Sequence, residues 1–306
     1  MNEVLSNETN ISMASALAAQ YELLLVEAPV IQNHEALIYL QSASNTVTTE
    51  IPLIGMGGYD LPQVMGEVTE VQNTALTTAT ASVTLARYSK SYAVSGMAQA
   101  GSTTNGPAGQ ILREQMFAID AIQSHALALT SLVANLGDTF SNTVGTTTVA
   151  FSVASFLAAK SQLDVAKNTG RYLALLHTTA FAHLQSNITT TSAGAIQWMP
   201  ESQSLVSKIN AGAIGTYLGV DIYTTSQSPL MNASADRGSC MLARRSIAWS
   251  DRAPMVPKDG FLLGNVLFEV NRVPRSDTSE YVSTSYMGVS EVIDASGVTI
   301  VAKATI

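Results

Sequence analysis

The 306-residue chain contains one cysteine, Cys240, so it can form no disulfide within itself and no cysteine-rich zinc site. A lone thiol fits folding in a reducing compartment. Charge is also scarce. Asp, Glu, Lys and Arg together make up 12% of the residues, about half the usual share for a soluble domain. Thr, Ser, Ala and Gly take their place, while apolar residues reach 46%, enough for a real core. So little charge implies that much of the surface is covered in an assembly. The alternative is a neutral, Thr-rich β protein that is simply monomeric.

Basic residues are missing from the whole first part of the chain. Residues 1–86 hold nine acids and no Lys or Arg, a net −9, while residues 87–306 carry a net +1, giving −8 in all. Such a segment avoids nucleic acid and is drawn to basic protein surface, or else forms a solvated acidic face. The first ten residues, MNEVLSNETN, carry acids and amides where a secretory signal would need a basic start. An uninterrupted apolar run is absent too. The best helical stretch, Ile111–Leu136, is broken by Arg113, Glu114, Asp120 and His125, which argues against a membrane span.

Motifs of chemistry are equally sparse. There is no G-x-x-x-x-G-K-[ST], H-E-x-x-H or G-x-S-x-G element. Gly55-Met56-Gly57-Gly58 lacks the dinucleotide-binding spacing and reads as a turn. His177 and His183 are six residues apart across an expected strand-to-helix change, a poor metal pair. Cys240 reads as a buried neutral thiol and Trp249 as a packing residue. Arg244, Arg245 and Arg252 form the one basic cluster. Three charges release few counterions, so a protein interface suits them better than nucleic acid. No enzyme activity and no cofactor or metal is expected.

What is present is a clear order of elements. Ser12 can cap a helix striped by Met13, Leu17, Tyr21, Leu24 and Leu25 and ended by Pro29. Thr46–Ile54 and Ala81–Ser95 alternate as the two sides of a long hairpin, which needs another surface to lie on. Pro107 opens the longest helix and Gly137 closes it, with apolar residues three and four apart from Leu112 to Leu136. Ser152 can cap the next helix, on which Val153, Phe156, Leu157 and Leu163 are expected to share a face. Tyr172–Leu176 is a continuous apolar run, the mark of a strand buried on both faces. A short helix over Thr178–Gln185 follows, with Thr178 or Thr179 as its cap, then a strand from Ile214 through Tyr223. The chain ends in β-structure at Phe261–Val273, Tyr281–Tyr286 and Val298–Ala302.

The order helix, YLALLHTTAFAHL, IGTYLGVDIY resembles the axial domain of tailed-bacteriophage major capsid proteins. The segment LARRSIAWSDRAPMVPKDGFLLGNVLFEV is similar to the part of those coats that returns from the axial to the peripheral domain. The resemblance runs from about residue 46 to the end, carried by order and length more than by single motifs.

That resemblance implies an α+β, Hong Kong 97-like phage capsid fold. Its parts would be an N-terminal arm at 1–45, an extended E-loop at 46–95, a peripheral domain at 96–149 and 258–288 with a spine helix at 107–136, and an axial domain at 150–257 and 289–306. It implies a structural protein that self-assembles as hexamers and pentamers into an icosahedral virion shell, put together in the host cytoplasm. Implied partners are a separate scaffolding protein, a portal, and double-stranded DNA held without sequence-specific contacts; no membrane is involved. Within the same fold the alternative is an encapsulin, the shell of a bacterial nanocompartment. A reading from another class is a cytoplasmic enzyme or binding domain with an unrecognised site. Candidate inter-subunit contacts are the acids Glu22, Glu27, Glu50, Glu67 and Glu70, set against Arg244, Arg245, Arg252, Arg272 and Arg275.

Overall fold

The computed structural model of the chain describes residues 31, 34–41, 47–54, 78–95, 107–166, 168–190, 198–199, 213–257 and 260–305. In chain order these form β1 (Leu37–Tyr39), β2 (Thr48–Ile54), β3 (Thr78–Thr84), β4 (Ala86–Ser95), α1 (Pro107–Leu136), β5 (Thr143–Val144) and α2 (Val153–Val165). There follow β6 (Tyr172–His177), α3 (Thr178–Thr190), β7 (Trp198–Met199), β8 (Ala213–Tyr217), β9 (Val220–Thr225), β10 (Leu230–Met231) and β11 (Asp236–Leu242). The last strands are β12 (Ile247–Arg252), β13 (Gly260–Leu263), β14 (Val266–Val273), β15 (Thr278–Glu291) and β16 (Gly297–Lys303).

One sheet has eight strands in the order β5-β16-β11-β6-β9-β8-β7, with β10 beside β11. All six residues of β6 are buried, and its side chains divide between two cores. Tyr172, Ala174 and Leu176 meet Phe156, Leu163, Ala180 and Leu184 of α2 and α3 on one face. Leu173 and Leu175 meet Leu129, Val133 and Ala134 of α1 on the other. Strict alternation between two apolar surroundings is why this strand reads as an unbroken apolar run.

The second sheet runs β1-β12-β15-β14-β13, and β4 also pairs with β15. β14 takes β15 residues 278–284, β12 takes 286–291 and β4 takes 278–287, so β14 and β12 share one edge of β15 and β4 holds the other. α1 lies along this sheet and then continues onto the eight-stranded one, its 30 residues spanning about 45 Å. Its first part packs Ala118, Ala121 and Ile122 on Leu263, Val266 and Phe268. Phe117–Leu136 is long and apolar enough by composition to cross a bilayer, but here its inner face is covered by the two sheets. The opposite face of the six-stranded sheet carries the separate β2–β3 ladder, through Val83, Ala248 and Val292. The contact is close: a Cβ on Gly288 would fall 2.2 Å from the Thr84 carbonyl oxygen.

Several expectations are met at residue level. α1 starts at Pro107, stops before Gly137, and buries Ile122, Leu129 and Val133 from the expected stripe. Ser152 caps α2, its hydroxyl accepting from the Ser155 N–H at 3.2 Å. Others need correction. Leu157 is 46% exposed, and Ala159 takes its place beside Phe156 and Leu163. α3 runs on to Thr190, and its cap is His177: the Nδ1 accepts from the Thr179 N–H at 3.2 Å. The single strand expected from Ile214 to Tyr223 is a hairpin, since Leu218 and Gly219 both take left-handed φ, 52° and 80°. Ala81–Ser95 breaks at Leu85 into β3 and β4, and Phe261–Val273 turns at Gly264-Asn265. β4, expected within the extended loop, and β12, expected within the axial domain, both belong to the six-stranded sheet with β15. The arm helix, the Gly55–Gly58 turn, and Glu22, Glu27, Glu67 and Glu70 lie outside the described residues.

Candidate inter-subunit surface

Glu50 stands in the middle of β2, opposite Ser82, with its side chain exposed. The arginines are not brought together. Arg244 and Arg245 occupy the exposed turn between β11 and β12, with Arg245 in a left-handed conformation (φ 60°). The Arg245 N–H donates to the Glu35 carbonyl at 3.0 Å, which ties this turn to the strand entering β1. Gly170 fits beneath it: a Cβ there would lie 3.3 Å from Glu35 Oε2 and 3.6 Å from Arg244 Cβ. Arg252 is half-buried at the end of β12, opposite Tyr286. Arg272, near the end of β14, and Arg275, on the exposed β14–β15 turn, sit at the other end of β15, where Arg272 pairs with Asp277 at 3.6 Å. Ser279, opposite Arg272, and Glu291, opposite Ile247, are twelve residues apart, so the two basic sites are separated by roughly 40 Å.

Two polar clusters invisible to motif reading fasten the elements that carry this surface. The first ties His34, just before β1, to the eight-stranded sheet. His34 Nδ1 accepts from the Ala36 N–H at 3.1 Å, so in the neutral ring Nε2–H is the donor to Asp221 Oδ2, 3.3 Å away. Asp221 is 5% exposed; its other oxygen accepts from Thr216 Oγ1 at 3.0 Å, and Arg171 Nε stands 3.8 Å from Oδ2. A buried carboxylate persists there because it accepts hydrogen bonds and faces the Arg171 guanidinium. The signal in the sequence was a lone acid within an apolar strand, Val220-Asp221-Ile222-Tyr223.

The second cluster ties β4 to α1. Lys90 Nζ lies 2.5 Å from Asp120 Oδ2 and donates to Ser124 Oγ at 2.6 Å, while Tyr92 OH donates to the same Asp120 oxygen at 2.5 Å. Hydrogen bonding to Asp120 raises the Lys90 pKa, and the Lys90 and Tyr92 bonds lower that of Asp120. Farther along, Trp249 packs against Tyr39 with ring centroids 4.6 Å apart. Burial, then the Asp251 carboxylate that accepts its proton at 2.8 Å, push the Tyr39 hydroxyl up to about 12.

The residues weighed for chemistry have structural surroundings. Cys240 is fully enclosed, and burial pushes its thiol up to about 12, far from a nucleophile's range. A Cβ on Gly137 would lie 2.5 Å from its Sγ, so the end of α1 meets β11 at van der Waals limit. His177 has its Nδ1 engaged by Thr179, and its basicity is lowered by burial and then by Arg237. No group of three His, Cys, Asp or Glu that could hold a metal occurs among the described residues.

No family model and no curated protein sequence matches this chain. Solved structures do. The capsid of Ralstonia phage GP4 superposes with a TM-score of 0.62 at 11% identity, covering 89% of this chain and 88% of that one. The capsid structure of cyanophage P-SCSP1u gives 0.57 at 10% identity, over 86% and 85%. An encapsulin complex from Synechococcus elongatus gives 0.57 at 13% identity, over 87% and 84%. At such identities the likeness lies in the path of the backbone, over 86% to 89% of the chain. This chain therefore has the α+β, Hong Kong 97-like fold of phage capsid proteins and encapsulins.

Proposed function

We propose that this chain is the major capsid protein of a tailed bacteriophage: a structural subunit, without catalysis, that assembles as hexamers and pentamers into an icosahedral shell around double-stranded DNA. The observation that carries this reading is the superposition of 86% to 89% of the chain on phage capsid structures. Low charge fits it, since repeated subunit contacts cover surface that a monomer would have to solvate. Many weak contacts, closed by symmetry, supply the strength. A separate scaffolding protein and a portal would guide assembly in the host cytoplasm, and the product is the virion.

Glu22, Glu27, Glu50, Glu67 and Glu70 would pair with Arg or Lys of a neighbouring subunit, Arg244, Arg245, Arg272 and Arg275 being the exposed candidates. Exposed pairs contribute about 0–1 kcal/mol each, so they set register more than strength. Lys90, the first lysine of the chain, is held against the sheet by Asp120 and Ser124 of α1, and no lysine precedes it in the extended loop, so the shell would close without lysine cross-links. The purified chain should run as capsomers or particles by size exclusion and show rings or shells in negative stain. A monomer or dimer that never assembles, with or without scaffold, would sink the proposal. The match to an encapsulin complex supports a second reading, a nanocompartment shell. Native particles filled with an enzyme cargo in place of DNA would decide for it.

A further inference from the structure

One buried imidazole lies in the seam between α1 and the six-stranded sheet, and its hydrogen bonds fix its protonation state. His125 is 6% exposed. Its Nε2 is 3.1 Å from Ser283 Oγ, and its Nδ1 is 2.8 Å from Ser285 Oγ. Ser283 Oγ donates to the Lys90 carbonyl at 3.2 Å. A hydroxyl has one proton, so Ser283 must accept from Nε2–H. Nδ1 is then the acceptor of the neutral ring and takes the proton of Ser285. Three elements are joined through one ring: α1 by His125, β15 by the two serines, and β4 by the carbonyl.

Protonation would break this pattern at one point. A second N–H at Nδ1 would face a hydroxyl whose own proton already points toward it. Ser285 would have to turn, and the new charge would be buried beside a cation. The groups facing the seam offer little relief. From β4 come Lys90, Tyr88 and Tyr92; from β15, Tyr281; from β14, the apolar Val266 and Phe268; and from α1 itself, Asp120. Asp120 already accepts from Lys90 and Tyr92. Burial and then the Lys90 charge accordingly hold the imidazole below its ordinary value of 6.5.

We propose that His125 is a proton-operated latch. The neutral ring holds the middle of α1 against β15, and the protonated ring lets that part of the helix lift from the sheet. Because the folded value lies below the unfolded one, the latch is fully closed above pH 6.5. It weakens about tenfold per pH unit as pH falls from there toward the folded value, and levels off beneath it.

The test follows the full chain from about pH 8 to about pH 4.5, the range in which an imidazole changes charge. Histidine C2–H exchange read by mass spectrometry gives the titration of His125, and amide exchange corrected for intrinsic rate gives local opening. His125 should titrate below 6.5, and opening of residues 118–130 and 281–287 should rise about tenfold per pH unit in step with it, while Val298–Ala302 stays protected. His125→Gln should flatten the profile. Ser285→Ala, which removes the donor to Nδ1 and makes a smaller change, should raise the His125 titration point and narrow the window. A His125 that titrates at or above 6.5, a step that survives His125→Gln, or equal loss of protection at Val298–Ala302 would overturn the latch.

Discussion

The two sheets are held by different kinds of contact. The eight-stranded body is closed by apolar packing on both faces, with Phe156, Leu163, Leu173, Leu176 and Ile222 wholly enclosed, and the Asp221 cluster only adds to a closure that packing already supplies. The six-stranded body has a thin apolar layer, in which Phe117 is only half-buried, supplemented by discrete polar ties at Lys90, Asp120, His125, Ser283 and Ser285. Apolar packing resists change in every direction, whereas a polar tie can be undone by one proton or one substitution. The first body is built to keep its shape and the second to hold a shape conditionally.

The sharpest way to break this comparison is to remove a ring from each body. Phe156 touches Phe151 and Tyr217, and Phe156→Ala should lower stability by about 3–5 kcal/mol, read by denaturant midpoint. Phe117 touches Tyr92, Phe268 and Tyr281, and Phe117→Ala should cost about half as much, because less area leaves water there. Equal losses would mean that the two cores are alike after all.

The junction between the bodies should respond next. Gly137→Ala places a methyl 2.5 Å from Cys240 Sγ and should cost about 1–3 kcal/mol. In a Cys240→Ala background the same change should cost less, since the Sγ contact is gone while the Cβ still lies 2.8 Å away, and a double-mutant cycle that showed additivity would exclude the Sγ clash. A smaller loss, about 1 kcal/mol, is expected for Ser152→Ala, with faster amide exchange confined to the first turn of α2.

The smallest effect belongs to the exposed tie. Lys90 and Asp120 are 32% and 46% exposed, so solvent screens them, and Lys90→Met or Asp120→Asn should change stability by about 0–1 kcal/mol. The pH sign is definite. The Lys90 and Tyr92 bonds hold the Asp120 carboxyl below its ordinary 3.8, so its contribution is present above that value and lost as pH falls through the lowered one. Asp120→Asn should remove this acid-limb step, while a step unchanged in the variant would assign it to other carboxylates.

Which parts were legible in the sequence follows from the same contrast. Tyr172–His177 was readable because both of its faces meet apolar side chains, and α1 because Pro107 and Gly137 mark its ends. The 213–225 hairpin was not, because Leu218 adopts a left-handed φ that its residue type does not advertise. The α3 cap escaped notice because His177 does the work usually given to Ser or Asp. For the candidate contact surface, spacing was misleading. Arg244, Arg245, Arg272 and Arg275 fall close in sequence but at opposite ends of a strand, a separation only the pairing of β15 reveals. The seam at His125 had no signature at all, since two serines two residues apart on a strand look like surface alternation.

β15 also has a mechanical meaning. It carries ten register pairs with β4 along one edge, and seven with β14 followed by six with β12 along the other. A pull along its length loads those ladders in shear, so their perpendicular hydrogen bonds must give way together and not one by one. A tension entering at the Arg272–Asp277 turn would thus be shared over the whole six-stranded sheet before any strand could slip.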